Sequence, residues 1–257
     1  MFYRYLKSGA RIATDLDGLF DGSAVFILGG SPKLAELPLD KISESGIPTL
    51  AMNNVPCTFP NPTLWVCADK PPCFSPHIYA SAAITKFTMI SRRDEMVLGT
   101  GKRVREFPNM FFFGTKGDIK PETFLAKQRD IAWWKSVFPI ALQISYRLGF
   151  RRVYLVGCGF RMNKDRQYAW TTDLTEYQIN YSQRTYNVDV DRLRQLKPHF
   201  ESKGFEVISC TPDSAANGVL DYISVEEAIR KELETRPKIS DTMSLVHSSA
   251  LAPCASK

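Results

Sequence analysis

The sequence predicts an α/β, Rossmann-like protein in which helices cover both faces of a mostly parallel sheet. Short apolar runs recur along the chain, and segments with the helical period lie between several of them. The clearest unit spans residues 136–159. Its apolar residues follow the helical period from Val137 to Leu148, Gly149 fits a helix C-cap, and the run VYLVG is typical of a central buried strand. Strands that alternate with helices in this way indicate parallel pairing.

The first predicted strand is the apolar run Val25–Leu28, which ends at Gly29 and Gly30. Ser31 is a suitable cap and Pro32 suits a first helical turn, so a helix is expected to follow, over residues 34–45. A strand, a tight glycine turn and a helix start, in that order, are where α/β proteins commonly hold a phosphate. The motif is neither GxGxxG nor a Walker loop, and simple chain reversal is the alternative explanation.

The same two patterns predict the remaining elements. Six more apolar runs are bounded by turn residues and are predicted strands: Thr49–Met52, Leu64–Cys67, Lys86–Ile90, Met110–Phe113, Val153–Val156 and Glu206–Cys210. Three more segments have the helical period and are predicted helices: Val137–Leu148, Asp189–Lys203 and Val225–Leu233. No internal repeat is visible.

Length and composition predict one domain. The chain has 257 residues, of which 44% are apolar, which is enough to bury one substantial core. We expect a single Rossmann-like domain over residues 1–236, with a lid-like insertion at 161–187. Residues 237–257 are rich in Ser and Ala without any period, and they are expected to form a flexible tail.

Charge and cysteine usage limit the function classes. The net charge is +6, but Lys and Arg are scattered among acidic residues, so nucleic-acid binding is not indicated and phosphate-bearing small molecules explain the excess equally well. Six cysteines form no CxxC pair and only three histidines occur, which predicts no metal site and a reducing, cytoplasmic location. No stretch has the length and apolarity of a membrane span, and no signal-peptide core is present.

Polar residues follow several predicted strands at their carboxyl ends, where open α/β sheets bind ligands. These candidate nucleotide-binding and catalytic positions are Gly29, Gly30, Ser31, Asn53, Asn54, Asp69 and Gly157. Asparagine amides can hydrogen-bond a base, ribose or phosphate, and Asp69 can act as a general base. The alternatives are a left-handed turn for the asparagines and a loop cap for Asp69.

The stretch from 161 to 187 is polar but rich in tyrosine. Tyr168, Tyr181 and Tyr186 accompany several basic residues there, and a long insertion of this kind after a strand is typical of a lid over phosphates. An ordinary solvated loop is the alternative. No Ser-His-Asp arrangement is visible, so a hydrolase triad is not predicted.

Four segments together resemble a known superfamily: FILGGSPKL, the MNN near residue 52, LGFRRVYLVGCGF and CTPDSAANGVLDYISVEEAI. The resemblance covers roughly residues 24–230 and is to a superfamily that contains bacterial sialyltransferases acting on lipooligosaccharides, DUF115-type glycosyltransferase-like proteins and archaeal 6-hydroxymethylpterin pyrophosphokinases. It implies a Rossmann-like fold and the transfer of a group from a nucleotide-bearing donor.

The resemblance also implies roles for particular residues. Residues 29–31 would approach the nucleotide phosphates, Asn53 would contact the nucleotide or its sugar, and Ser136 would begin the helix that faces the donor. Tyr168 would correspond to a phosphate-binding tyrosine that assists the leaving group. Such sialyltransferases stabilise the departing phosphate with hydroxyl groups, so no cofactor is expected apart from the nucleotide-sugar substrate.

The sequence departs from the superfamily at two positions. The acidic residue of the motif G-x-D-F is absent, because this chain has Cys158 and Gly159 between Gly157 and Phe160. The histidine that acts as a base in those sialyltransferases has no counterpart near 177–186. Either another group replaces it, for which the candidates are Asp173, Glu176, Tyr181 and Tyr186, or the reaction differs.

Three functions are consistent with these observations. The leading hypothesis is a glycosyltransferase that moves a sugar from a nucleotide-sugar to the hydroxyl of a carbohydrate or another acceptor. The second is a magnesium-dependent phosphotransferase with Asp69 as a metal ligand. The third is a non-catalytic accessory protein, of the size that a phage would encode. The donor, the acceptor and the oligomeric state are left open by the sequence.

Overall fold

The computed structural model describes residues 1–235 except 7, 118, 164, 171 and 172. The predicted tail at 237–257 lies outside the described residues. Thirteen strands are formed in this part of the chain: β1 Phe2–Tyr5, β2 Arg11–Thr14, β3 Ala24–Leu28, β4 Thr49–Met52, β5 Leu64–Cys67, β6 Thr85–Met89, β7 Met96–Val97, β8 Lys102–Arg103, β9 Met110–Phe113, β10 Thr115–Lys116, β11 Ile131–Ala132, β12 Arg152–Val156 and β13 Glu206–Ser209. The α-helices of the same part are α1 Leu39–Glu44, α2 Pro76–Ala80, α3 Val137–Arg147, α4 Glu176–Ser202 and α5 Val225–Thr235.

Nine strands form one sheet in the order β13-β12-β3-β4-β5-β6-β9-β1-β2. The first seven in this order pair in parallel, and β1 and β2 add an antiparallel edge. The predicted α/β, Rossmann-like class is therefore confirmed. All seven predicted strands are present within a residue of their expected bounds, whereas the N-terminal hairpin of β1 and β2 was not predicted.

The sheet separates two apolar layers. One face packs against α3 and α4 through residues such as Ile144 and Leu193, and the other packs against α1, α2 and α5 through residues such as Ile42 and Val225. The central strands are buried on both faces, and the five residues of β3 are all inaccessible to solvent or nearly so. This double coverage explains why the strands have continuous apolar runs instead of alternating ones.

Two predicted helices have different bounds in the structure. The segment 34–45 divides into a 3₁₀ turn at Pro32–Glu36 and the short helix α1, because Pro38 lacks an N–H and holds the preceding Leu37 in an extended conformation. The helix expected to begin at Asp189 begins at Glu176, where Thr175 and Gln178 form a capping box. The second half of the predicted lid-like insertion 161–187 is thus the first three turns of α4.

Candidate functional site

A cavity of about 770 Å³ lies at the carboxyl edge of the sheet. The chain runs from β3 through β4 and β5 in one direction and later adds β12 on the other side of β3. Strand order therefore reverses beside β3, which is where ligands bind in open α/β sheets. The volume is in the range of cavities that hold small molecules.

Eleven of the site residues predicted from the sequence line this cavity, whereas Asp173 and Glu176, two of the four candidates to replace the missing histidine, are exposed and do not line it. The eleven come from six separate parts of the chain: Gly29, Gly30, Ser31, Asn53, Asn54, Asp69, Ser136, Gly157, Tyr168, Tyr181 and Tyr186. Their roles stay predictions, but the sheet brings together in space residues that are up to 157 positions apart in the sequence. The contacts that each makes inside the protein show which of its groups are left for a ligand.

Gly29 and Gly157 permit two strand ends to approach each other closely. A Cβ atom on Gly29 would lie 2.6 Å from the Gly157 carbonyl oxygen, and a Cβ on Gly157 would lie 2.6 Å from the Gly29 carbonyl oxygen. The Gly29 N–H already donates to the Val156 carbonyl, and the Ser31 N–H donates to the Gly157 carbonyl. Packing between β3 and β12 therefore explains these two glycines without a ligand.

Gly30 packs beneath an aromatic side chain. A Cβ atom at this position would clash with the Trp170 ring, whose plane stacks on Tyr168 with centroids 5.0 Å apart. The Ala169 N–H donates to the Gly30 carbonyl, so residues 168–170 lie directly over the glycine turn. Among the described residues the Gly30 N–H has no acceptor, and this N–H and the Ser31 hydroxyl are the groups of the turn that a ligand can use.

The two asparagines after β4 differ in what they offer. Asn53 has the left-handed backbone that was the structural alternative for this residue, and β5 fixes it: its N–H donates to Val66 and its carbonyl accepts from the Trp65 indole. Its buried Oδ1 has no hydrogen-bond partner in the described part of the chain. Asn54 donates instead to the Cys73 carbonyl. Asn53 therefore lines the cavity and has a buried, unsatisfied acceptor, whereas the Asn54 amide N–H is engaged in holding a loop.

Asp69 supplies a carboxylate to the cavity wall. Desolvation by the surrounding protein raises the pKa of Asp69 above its ordinary value, and the nearby Arg92 partly offsets that effect. A carboxylate with a raised pKa is a better proton acceptor than a free one. Within the described ranges, no group of three or more His, Cys, Asp or Glu side chains is placed to hold a metal ion.

Two tyrosine phenols meet inside the cavity. Tyr186 on α4 lies near Tyr168, and burial together with this neighbouring phenol raises the pKa of Tyr186 well above its ordinary value. The Tyr186 phenol therefore keeps its proton at neutral pH and can donate a hydrogen bond. Tyr181 lies further out on the same helix, 47% exposed, and stacks on the 71% exposed Tyr177 at 6.4 Å.

Two basic residues at the cavity were not identified from the sequence. Lys135 and Arg161 both line it, both are exposed, and neither has an acidic partner among the residues that the structure describes. Lys135 has a left-handed backbone with φ of 61° directly before Ser136, the N-cap of α3. A local sequence signal existed, since a lysine directly precedes the predicted helix, but only the fold shows that this helix start faces the cavity.

Gly159 stands at the acidic position of the motif G-x-D-F that the sequence resembles, and the thiol of the preceding Cys158 does not replace that acid. It is buried, and burial raises the pKa of Cys158 to about 12, so it stays protonated at neutral pH. A Cβ atom added to Gly29 would lie 2.7 Å from the Cys158 sulfur. Cys158 therefore fills space beneath the glycine turn.

Comparison with known proteins gives little beyond the fold. No protein-family model matches the chain, and no curated protein matches it. Among solved structures, a MAf glycosyltransferase from Magnetospirillum magneticum AMB-1 is similar with 12% identity and a TM-score of 0.45, over 86% of this chain and 38% of that one. The chain thus spans less than two fifths of that protein's length. A similarity of this degree does not assign a function to the present chain. No helix in the described part is both long and apolar enough to cross a membrane.

Proposed function

We propose that this chain binds a nucleotide-sugar in the strand-edge cavity and transfers the sugar to an acceptor hydroxyl. The observation that carries the proposal is the convergence of two cations, Lys135 and Arg161, with the neighbouring phenols of Tyr168 and Tyr186 around one cavity. Within the described part of the chain, neither cation has an acidic partner. Cations and hydroxyl donors are what a departing nucleotide phosphate needs when its negative charge grows.

The donor phosphates would lie at the start of α3. Lys135 flanks this helix start, and Val137 and Phe138 of its first turn line the cavity. Positive charge from the lysine and the partial positive charge of a helix N-terminus both favour an anion there. The Gly30 N–H and the Ser31 hydroxyl would bind the same phosphates from the β3 side.

The nucleoside would lie towards β4. The unsatisfied Oδ1 of Asn53 requires a hydrogen-bond donor, which a ribose hydroxyl or a base amino group supplies. Aromatic side chains line the cavity as well, among them Phe74 and Trp133, and offer stacking surfaces for a base or a sugar ring. The exposed stack of Tyr177 and Tyr181 lies beside the cavity on α4, where an acceptor would enter.

The reaction would follow from these positions. Asp69 would accept the proton of the acceptor hydroxyl as its oxygen bonds to the anomeric carbon of the donor. The bond between that carbon and the phosphate oxygen would break, and the nucleotide would leave with the electron pair. Lys135, Arg161 and the Tyr168 hydroxyl would stabilise the charge on the leaving oxygen.

A thermal-shift screen of the purified chain tests the proposal. CMP, UDP, GDP, ADP and their sugar conjugates are added one at a time, with and without magnesium, because a ligand that binds only the folded state raises the melting temperature. We expect one nucleotide and its sugar conjugate to raise it without magnesium. A shift that requires both magnesium and ATP would favour the phosphotransferase with Asp69 as a ligand, and the absence of any shift would favour the accessory protein.

A further inference from the structure

The backbone on both sides of Lys135 is attached to helix α4. On the N-terminal side, the Trp134 carbonyl accepts a hydrogen bond from the Arg192 guanidinium at 2.8 Å, and that guanidinium lies 5.0 Å from the centre of the Trp134 ring. On the C-terminal side, the Ser136 hydroxyl donates to Oδ2 of Asp189 at 2.6 Å. The exposed lysine thus lies between two residues that are anchored to the same helix.

Asp189 and Arg192 also contact each other, at 3.2 Å between the guanidinium and Oδ1. Only 1% of Asp189 is exposed, although its side chain is a carboxylate. Burying a charge is costly unless it is paired and hydrogen-bonded, and here each oxygen has one partner. A buried pair of this kind lies one helical turn from Tyr186, so α4 connects the lysine loop with the phenol pair.

We propose that Asp189 and Arg192 are positioning residues that hold Lys135 in its left-handed conformation, ready to bind the phosphates of the donor. The left-handed conformation is unfavourable for a residue with a side chain, so it requires support from its neighbours. The hydrogen bonds to Trp134 and Ser136 supply this support on either side. This inference rests on the proposed function for the identity of the ligand alone. The hydrogen bonds that support the Lys135 backbone are present in the structure without any ligand.

The chain contains a matched control for this pair. Asp191 and Arg194 lie on the same helix with the same spacing and a 2.7 Å ion pair, but both are more than 60% exposed. Asp189→Asn weakens the contact to Arg192 while keeping the side-chain shape, and Asp191→Asn makes the same chemical change at the surface. Any general effect of removing a charge from α4 appears in both variants.

A double-mutant cycle with inorganic pyrophosphate as the probe tests the proposal. We expect Asp189→Asn to weaken pyrophosphate binding about fivefold in the native background and to have almost no effect in a Lys135→Ala background. Asp191→Asn should leave binding unchanged in both. An equal loss with and without Lys135 would overturn the proposal, because a merely structural residue acts additively.

Amide hydrogen exchange of the free protein gives a second result that needs no ligand. We expect the amides of residues 134–138 to exchange faster in Asp189→Asn and to be unchanged in Asp191→Asn, with the central strands unaffected in both. Unchanged exchange at 134–138 would overturn the positioning role. If native protein binds neither pyrophosphate nor any nucleotide, the proposed function fails, and hydrogen exchange alone still decides whether α4 holds the lysine loop.

Discussion

Lys135 combines an unfavourable backbone conformation with a charge at the cavity that has no acidic partner among the described residues. Its φ of 61° lies in the region that favours glycine. A side chain held there costs folding free energy, and such costs are concentrated at functional sites. The residue is therefore the most informative single position for testing the binding site.

Substitution Lys135→Gly is expected to change stability and binding in opposite directions. Glycine adopts the left-handed conformation without a steric cost, so the free energy of unfolding should rise by about 1 kcal/mol. Loss of the cation should weaken nucleotide binding about tenfold. Urea unfolding and calorimetric titration measure the two effects, with Lys203→Ala on the exposed end of α4 as the control. Unchanged affinity would remove Lys135 from the site.

Tyr168→Phe removes one hydroxyl from the pair of phenols. We expect kcat to fall about tenfold or more while KM for the donor changes little, because the hydroxyl is proposed to act mainly on the charge that develops on the leaving phosphate. Initial rates over a range of donor concentrations separate the two parameters. An unchanged kcat would exclude the Tyr168 hydroxyl from the reaction.

The sequence predicted the site residues that follow strands and missed those that depend on tertiary neighbours. Asn53 and Asp69 could be predicted because a polar residue just after a buried strand of a parallel sheet lies at the carboxyl edge of that sheet, where ligands bind. Asp189 looked like an ordinary polar position on a helix, and only its burial against Ser136 and Arg192 distinguishes it. Of these two neighbours, Ser136 lies 53 positions away in the sequence.

At the scale of elements, the glycines after β3 and β12 set the distance between two central strands. Substitution Gly29→Ala places a Cβ atom 2.6 Å from a backbone oxygen that cannot move aside without disturbing β12. The free energy of unfolding should fall by about 1–3 kcal/mol, as for other overpacked positions. Urea unfolding measures this loss.

Gly218→Ala is the matched control for that substitution. A Cβ atom at Gly218 meets nothing within 4 Å, and its backbone is not left-handed. We expect the free energy of unfolding to change by less than about 0.5 kcal/mol in this variant. If Gly29→Ala were equally mild, close packing would no longer explain the glycine turn, and a role in ligand approach would become the better explanation.

The ends of elements were predicted less well than their existence. Helix α4 begins thirteen residues before its predicted start, since its first turns carry tyrosine, asparagine and glutamine and have little apolar periodicity. These turns make few core contacts, so the hydrophobic pattern contains no trace of them. The capping box of Thr175 and Gln178 was the available local signal.

For the whole molecule, helix α5 is joined to the sheet through Glu232. Its carboxylate accepts hydrogen bonds from Arg152 at 2.6 and 2.8 Å and from the Tyr154 phenol at 2.7 Å. Burial alone would raise the pKa of Glu232, but these hydrogen bonds outweigh it and hold the pKa below its ordinary value. The contact therefore connects the C-terminal helix with central strand β12.

This lowered pKa predicts a contribution to stability that is present at neutral pH and lost in acid. The folded state binds the Glu232 proton less readily than the unfolded state, so stability falls as the pH drops below about 4.5 and through the folded pKa. Glu232→Gln should lower the free energy of unfolding at pH 7 by about 1–3 kcal/mol and reduce its acid dependence. Urea unfolding from pH 3 to pH 7 checks both, and an acid dependence as steep as that of the native chain would contradict the assignment.

The fold as a whole was more predictable than the site. The seven parallel strands can be recognised in the sequence as continuous apolar runs, because both faces of the sheet are covered. The antiparallel hairpin at the N-terminus was not predicted, because β2 is largely exposed and its four residues form no apolar run. An edge strand of this kind forms because it pairs with a neighbouring strand, and that pairing leaves no hydrophobic pattern in its own sequence.

A crystal structure of the chain with the nucleotide that gives the largest thermal shift tests the central claim most directly. We expect the nucleotide in the strand-edge cavity, with its phosphates within hydrogen-bond distance of Lys135 and of the Tyr168 hydroxyl and a donor group on Asn53 Oδ1. A nucleotide bound elsewhere, or a cavity that excludes it while Trp170 covers Gly30, would contradict the proposed function.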